Sequence, residues 1–108
     1  MPSPVIVVHG GAWAVPDQLE NRSRAGVEAA VLAGWRVLEA GGAAMDAVTA
    51  AVTRLEDDTA FDAGHGSVLT DGGEVEMDAM VMEGQVCIVM CSNFHFPWTK
   101  KIRSLDKF

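Results

Sequence analysis

The spacing of apolar positions changes along the chain, and each change marks an element. Residues 5–8 read Val-Ile-Val-Val, a short continuous β-branched run that predicts a buried strand. His9-Gly10-Gly11-Ala12 then breaks it, because paired glycines disfavour continued extension. Pro16-Asp17 opens the next element. Val27, Ala30, Val31, Gly34, Trp35 and Leu38 recur at three- and four-residue intervals, predicting an amphipathic helix over residues 18–40. Arg22, Arg24, Glu28, Arg36 and Glu39 fall on its opposite side, and Gly41-Gly42 stops it. A second helix is predicted over residues 43–56, with Met45, Val48, Ala51, Val52 and Leu55 as its apolar stripe. Its alanines at 43, 44, 47, 50 and 51 permit close approach to a neighbour. Two helices joined by a short turn must cover something apolar, most simply a sheet, so the fold class is α/β (α+β).

Beyond residue 55 the period shortens. Glu74, Glu76 and Asp78 alternate with Val75, Met77 and Ala79, which places acids on one strand face and apolar side chains on the other. Asp71-Gly72-Gly73 is a turn signal, so a hairpin is predicted between residues 67–69 and 74–82. Residues 86–90 read as one more strand.

Composition narrows the function classes. A chain of 108 residues suffices for one small domain. A formal net charge of −7 argues against nucleic acid or an anionic membrane as partner. No basic, then apolar, leader opens the chain, and no apolar run approaches a membrane span. With only Cys87 and Cys91, a cytoplasmic protein with reduced thiols is the default.

Several constellations carry candidate chemistry. The double glycine after a strand suits a phosphate loop, but no G-x-x-x-x-G-K-[ST] or G-x-G-x-x-G follows. Glu56-Asp57-Asp58 stands at a helix C-terminus, facing the negative end of the dipole, so either solvent or a cation offsets the cost. Carbonyl oxygens at a helix end plus a glycine loop suit a hard cation; a solvated acidic turn is the plainer alternative. Cys87-x-x-x-Cys91 lacks further ligands. Ser67, His65 or His9, and Asp62 could be written as a triad, yet no nucleophile elbow is present. Trp13 reads as packing.

The motifs Leu-Glu-Asp-Asp at 55–58, F-D-A-G-H-G-S-V-L at 61–69 and G-E-V-E-M-D-A at 73–79 are specific. Together with His-Gly-Gly-Ala at 9–12 and G-G-A-A-M-D-A-V at 41–48, they resemble the plant-type L-asparaginase/isoaspartyl peptidase family of N-terminal-nucleophile (Ntn) hydrolases. The resemblance spans residues 5–84, so residues 1–84 are expected to form the N-terminal part of the family domain and 85–108 a divergent tail. It implies part of an αββα sandwich, with one mixed sheet and an αα-hairpin layer, in which the His-Gly-Gly turn approaches the active site. It implies no organic cofactor but a structural Na⁺ held by the main-chain oxygens of Leu55, Glu56, Asp58, Phe61, Ala63 and His65.

The family reaction hydrolyses L-asparagine to aspartate and ammonia, or cleaves β-aspartyl peptides. An N-terminal Thr freed by chain cleavage is the nucleophile, with its own amine as base. None of Thr49, Thr53, Thr59, Thr70 and Thr99 matches that position. Asp62 stands in the oxyanion region where the family commonly carries Asn; an amide donates a hydrogen bond, whereas a carboxylate only accepts. The resemblance therefore implies a truncated family member without a catalytic nucleophile. Substrate would be met only in the complete enzyme, with a β-subunit or full-length partner. The alternative is a non-catalytic isoform that binds such a partner or is degraded.

Overall fold

The computed structural model describes residues 3–85 and, as backbone, residues 88–96. Helix α1 spans Asp17–Glu39 and helix α2 spans Ala44–Asp57. A single 3₁₀ turn at Gly64–Gly66 precedes strand β1 (Val75–Glu83) and strand β2 (Ile88–Phe96). Both helices lie within a residue or two of the bounds that periodicity predicts.

Pro16 precedes the first helical residue with β-region angles, and Asp17 and Glu20 place negative charge on the positive end of the α1 dipole. At the other end the Gly41 amide donates to the Leu38 carbonyl (3.0 Å) and the Gly42 amide to the Val37 carbonyl (2.8 Å). With Gly41 at φ 82°, this is a Schellman stop, which satisfies two otherwise orphaned carbonyls and turns the chain back into α2.

The helices meet on a stripe of small residues. Gly26, Ala30 and Gly34 are the buried residues of α1, and Ala47 and Ala51 those of α2. A Cβ on Gly34 would sit 2.8 Å from the Ala47 carbonyl oxygen, 3.4 Å from the Ala51 Cβ, and against the Ile6 side chain. The expected stripe of larger residues is displaced from this contact: Trp35, Val48 and Val52 lie on the exposed side. Backbones this close leave no room for Val between them, so the alanines take the contact.

The expected strand at residues 5–8 is not part of a sheet among the described residues. A strand requires a hydrogen-bonded neighbour, and none of the described residues pairs with it. The segment alternates nonetheless: Ile6 packs at Gly34, while Val5 and Val7 are 80% and 85% exposed.

Among the described residues the sheet is two-stranded and antiparallel, not mixed, with β1 paired to β2 from Val75↔Phe96 to Glu83↔Ile88. The Asp71-Gly72-Gly73 turn forms, with the Gly73 amide on the Thr70 carbonyl and the Thr70 amide on the Glu74 carbonyl, both at 2.8 Å. Residues 67–69 nevertheless make no strand. The Ser67 amide donates to the Gly64 carbonyl (3.3 Å) and the Val68 amide to Asp62 Oδ1 (2.7 Å), so neither is offered to a ladder. Strand β1 pairs instead with the chain that follows it, and β2 takes in residues 88–90 of the strand predicted over residues 86–90. Residues 86–87 and 97–108, including Cys87 and Thr99, lie outside the described residues.

Along β1 exposure alternates as the sequence predicts, with Val75 fully buried and Glu76 and Asp78 exposed. The outer face then turns apolar at Met80 and Met82, 68% and 63% exposed.

The Gly34 contact gives a direct test. Gly34→Val should cost about 3 kcal/mol in chemical denaturation, because the clash is with a backbone carbonyl that cannot rotate away. Gly72→Ala, whose Cβ would meet only Thr70 Oγ1 at 3.7 Å, should stay within about 0.5 kcal/mol.

Candidate functional site

Helix α2 ends within the acidic run, at Asp57. The Asp58 amide donates to the Leu55 carbonyl (3.2 Å), the Phe61 amide to the Asp58 carbonyl (3.3 Å), and the Ala60 amide to Asp58 Oδ1 (2.9 Å). Asp58 is thus spent on an Asx turn that leaves the helix tightly. The next turn closes with the Gly66 amide on the Ala63 carbonyl at 3.1 Å.

This loop exists because of two glycines. Gly64 has φ 54°, and a Cβ there would run into the Glu56 carbonyl. A Cβ on Gly66 would run into the Phe61 carbonyl and come within 3.0 Å of the Thr59 carbonyl. The loop therefore curls so that main-chain oxygens of its first half press on glycines of its second half. The residues for which cation ligation was expected, Leu55, Glu56, Asp58, Phe61, Ala63 and His65, all belong to this curl. Each carbonyl has two lone pairs, so those that already accept one amide keep acceptor capacity. The donor chemistry fits a hard cation held by backbone oxygen. No cluster of three His, Cys, Asp or Glu side chains is grouped for a metal among the described residues.

Phe61 ties this loop to the rest of the chain. Phe61 is 7% exposed, and its ring lies between two glycines: a Cβ on Gly10 would be 2.9 Å from Cε1, and one on Gly26 2.6 Å from Cε2. The His9-Gly10-Gly11 turn, helix α1 and the loop therefore converge at one ring.

Beside that ring opens a cavity of about 660 Å³, lined among others by His9, Gly10, Gly11, Arg22, Thr59 and Asp62. The His-Gly-Gly turn and Asp62, 50 or so positions apart in sequence, thus face one space. Asp62 Oδ1 accepts from the Val68 amide at 2.7 Å, so its carboxylate holds the far side of the loop. An Asn carbonyl could make the same bond; the donor that an amide would add is missing. His9 Nδ1 accepts from the Gly11 amide at 3.0 Å, fixing the ring against its own turn.

Neither Thr59 nor Ser67 is set up as a nucleophile. Thr59 Oγ1 accepts from Arg22 Nη2, a cation that withdraws electron density from the oxygen. Its own amine is an internal peptide nitrogen. Ser67 Oγ donates to Met77 Sδ (3.7 Å), His65 Nδ1 lies 3.9 Å from Asp57 Oδ1, and Asp62 is taken by Val68. The triad written from these residues is not assembled.

Arg22 is the residue that sequence reading missed. Helical periodicity placed it on the charged side of α1, and only the chain's return at Thr59 brings that side to the cavity. No helix among the described residues is long and apolar enough to cross a membrane.

Comparison with known proteins agrees with the motifs. The chain is 55% identical over 82 residues to an isoaspartyl peptidase/L-asparaginase of Xenopus laevis, an alignment covering 76% of this chain and 26% of the relative. The Homo sapiens protein of that name is 48% identical over 84 residues, covering 77% and 27%. A probable isoaspartyl peptidase/L-asparaginase of Drosophila melanogaster, CG7860, is 38% identical over 116 residues, covering 99% and 35%. The chain thus spans roughly a quarter to a third of the length of these curated relatives. A family model described as asparaginase matches residues 2–90. With His9–Gly11, the Leu55–His65 curl and Asp62 all inside that match, the chain belongs to this asparaginase family.

Proposed function

We propose that this chain supplies the nucleophile-free wall of an Ntn-hydrolase active site. The complete enzyme would act on the side-chain amide of L-asparagine and on β-aspartyl peptide bonds, as the relatives' names state of those proteins. The observation that carries the reading is the single cavity shared by His9–Gly11 and Asp62. Attack on the amide carbonyl would come from a Thr at a new N-terminus on a β-subunit, with its free amine taking the proton. This chain would contribute shape and the backbone of the oxyanion region. Asp62 supports only the accepting half of what an Asn would do there.

The Leu55, Glu56, Asp58, Phe61, Ala63 and His65 carbonyls would hold Na⁺, which supplies no chemistry beyond ordering the loop. The Gly64 and Gly66 contacts support this, since they draw the Glu56 and Phe61 carbonyls into one tight curl. The rest of the αββα sandwich would cover Val5 and Val7, whose exposure otherwise leaves an apolar face in water. A cytoplasmic location accords with the reduced-thiol expectation for Cys87 and Cys91.

A second reading is a non-catalytic chain that associates with a full-length partner or is degraded. Exposed Val5, Val7, Val68, Leu69, Met80 and Met82 favour it.

Two experiments follow. The chain alone should release no ammonia from L-asparagine or β-aspartyl dipeptides above buffer, because the attacking group is lost and the residual of about 10³–10⁴ over water that binding and oxyanion groups can leave would need the complete site. Adding a Thr-bearing β-subunit should restore release; silence after a verified complex forms favours the non-catalytic reading. Separately, the melting temperature at fixed ionic strength should rise with Na⁺ relative to a bulky organic cation. A tenfold excess of Na⁺ over its Kd would be worth about 1.4 kcal/mol. Identical melts would remove the cation from the account.

A further inference from the structure

Arg22 and Arg24 leave the same stretch of α1, yet they behave differently. Arg24 pairs with Glu20 on its own helix at 2.6 Å, an exposed pair one turn apart. Arg22 instead reaches Thr59, 37 positions away, and donates through Nη2 to its hydroxyl. With His9 and Asp62, Arg22 completes the ionisable side chains that line the cavity.

The position of Thr59 gives this bond leverage. Its carbonyl is one of the atoms against which Gly66 packs, at 3.0 Å from where a Cβ would stand. Gly66 closes the 3₁₀ turn by donating to Ala63, and the chain then runs to Val68, whose amide is held by Asp62. On the other side Thr59 is flanked by the Asp58–Ala60 Asx turn and by Phe61. A pull on the Thr59 side chain is therefore felt at Gly66, and from there at the Asp62–Val68 bond.

We infer that Arg22 is a positioning residue for this site: fixed on α1, it holds Thr59, and through the Thr59 carbonyl it sets the Gly66 turn that carries Asp62 opposite His9–Gly11. The inference rests on reading the cavity as an active-site wall, but the contact it names is testable by itself. The planar guanidinium suits the task, because its rigid fork fixes the donor direction.

The test is amide hydrogen exchange on the full 108-residue chain. The variants are Arg22→Met, Thr59→Val, the two combined, and Thr59→Ser as the conservative control. The Ala60, Gly66 and Val68 amides should exchange about tenfold faster in each single variant, while the α2 amides from Val48 to Val52 keep their rates. The double variant should be no faster than either single one, because both remove the same contact. Thr59→Ser keeps the hydroxyl and should exchange like the unaltered chain. Unchanged loop rates in Arg22→Met, additive effects in the double variant, or equal acceleration throughout both helices would each overturn the inference. Loop acceleration of the predicted kind, together with no ammonia on adding a Thr-bearing β-subunit, would uphold the Arg22 contact and reject the catalytic reading.

Discussion

The Phe61 ring between Gly10 and Gly26 is the contact on which the site depends. It brings together three segments far apart in sequence: the end of the first extended run, the middle of α1, and the loop after α2. Only glycine permits the approach on either side, since a Cβ at Gly10 or Gly26 would fall within 2.9 Å of the ring. Burial of one aromatic side chain contributes on the order of 2–3 kcal/mol, a large share of what a small alanine- and glycine-rich core supplies. Apart from Phe61, the buried apolar residues are Ala30, Ala47, Ala51 and Val75 among those described. Removing the ring would therefore separate the His9–Gly11 turn from Asp62 while leaving the helix pair intact.

Much of this was legible in the sequence, for reasons that differ by element. Helices α1 and α2 are local: period, stop signal and small-residue content specify them with little help from the rest of the chain. The alternation in β1 was legible for the same reason. Pairing was not, because it depends on which amides are still available. Ser67 and Val68 look like strand residues, but Gly64 and Asp62 take their amides first. The extended run at residues 5–8 shows the converse. Its β-branched sequence asks for neighbours on both sides, and among the described residues the helix side supplies one, where Ile6 meets Gly34.

The site was legible as a set of backbone demands more than as side-chain chemistry. Gly64 and Gly66 announce a turn in the sequence, and the structure gives the reason for them in the Glu56 and Phe61 carbonyls they accommodate. The Asp62 contact explains how an acid can stand in this loop: one oxygen does the accepting that folds residues 62–68. What periodicity could not supply was the role of Arg22. A charged residue on a polar helix face carries no signal until another segment arrives beside it. The same logic applies to Thr59, whose hydroxyl lies in the cavity but is committed to a cation and has no amine base beside it. Family membership and the geometry thus meet at one cavity, shared by the His9–Gly11 turn and Asp62.

The most direct test of this account is whether the ring contact exists in solution. In an NMR spectrum of the isotopically labelled chain, the Phe61 ring protons should show cross-relaxation to the α-protons of both Gly10 and Gly26. Those glycine α-protons should also be shifted from random-coil positions by the ring current. Random-coil shifts at both glycines with no Phe61 cross-peaks, in a sample whose two helices are formed, would contradict the claim that one ring assembles the site.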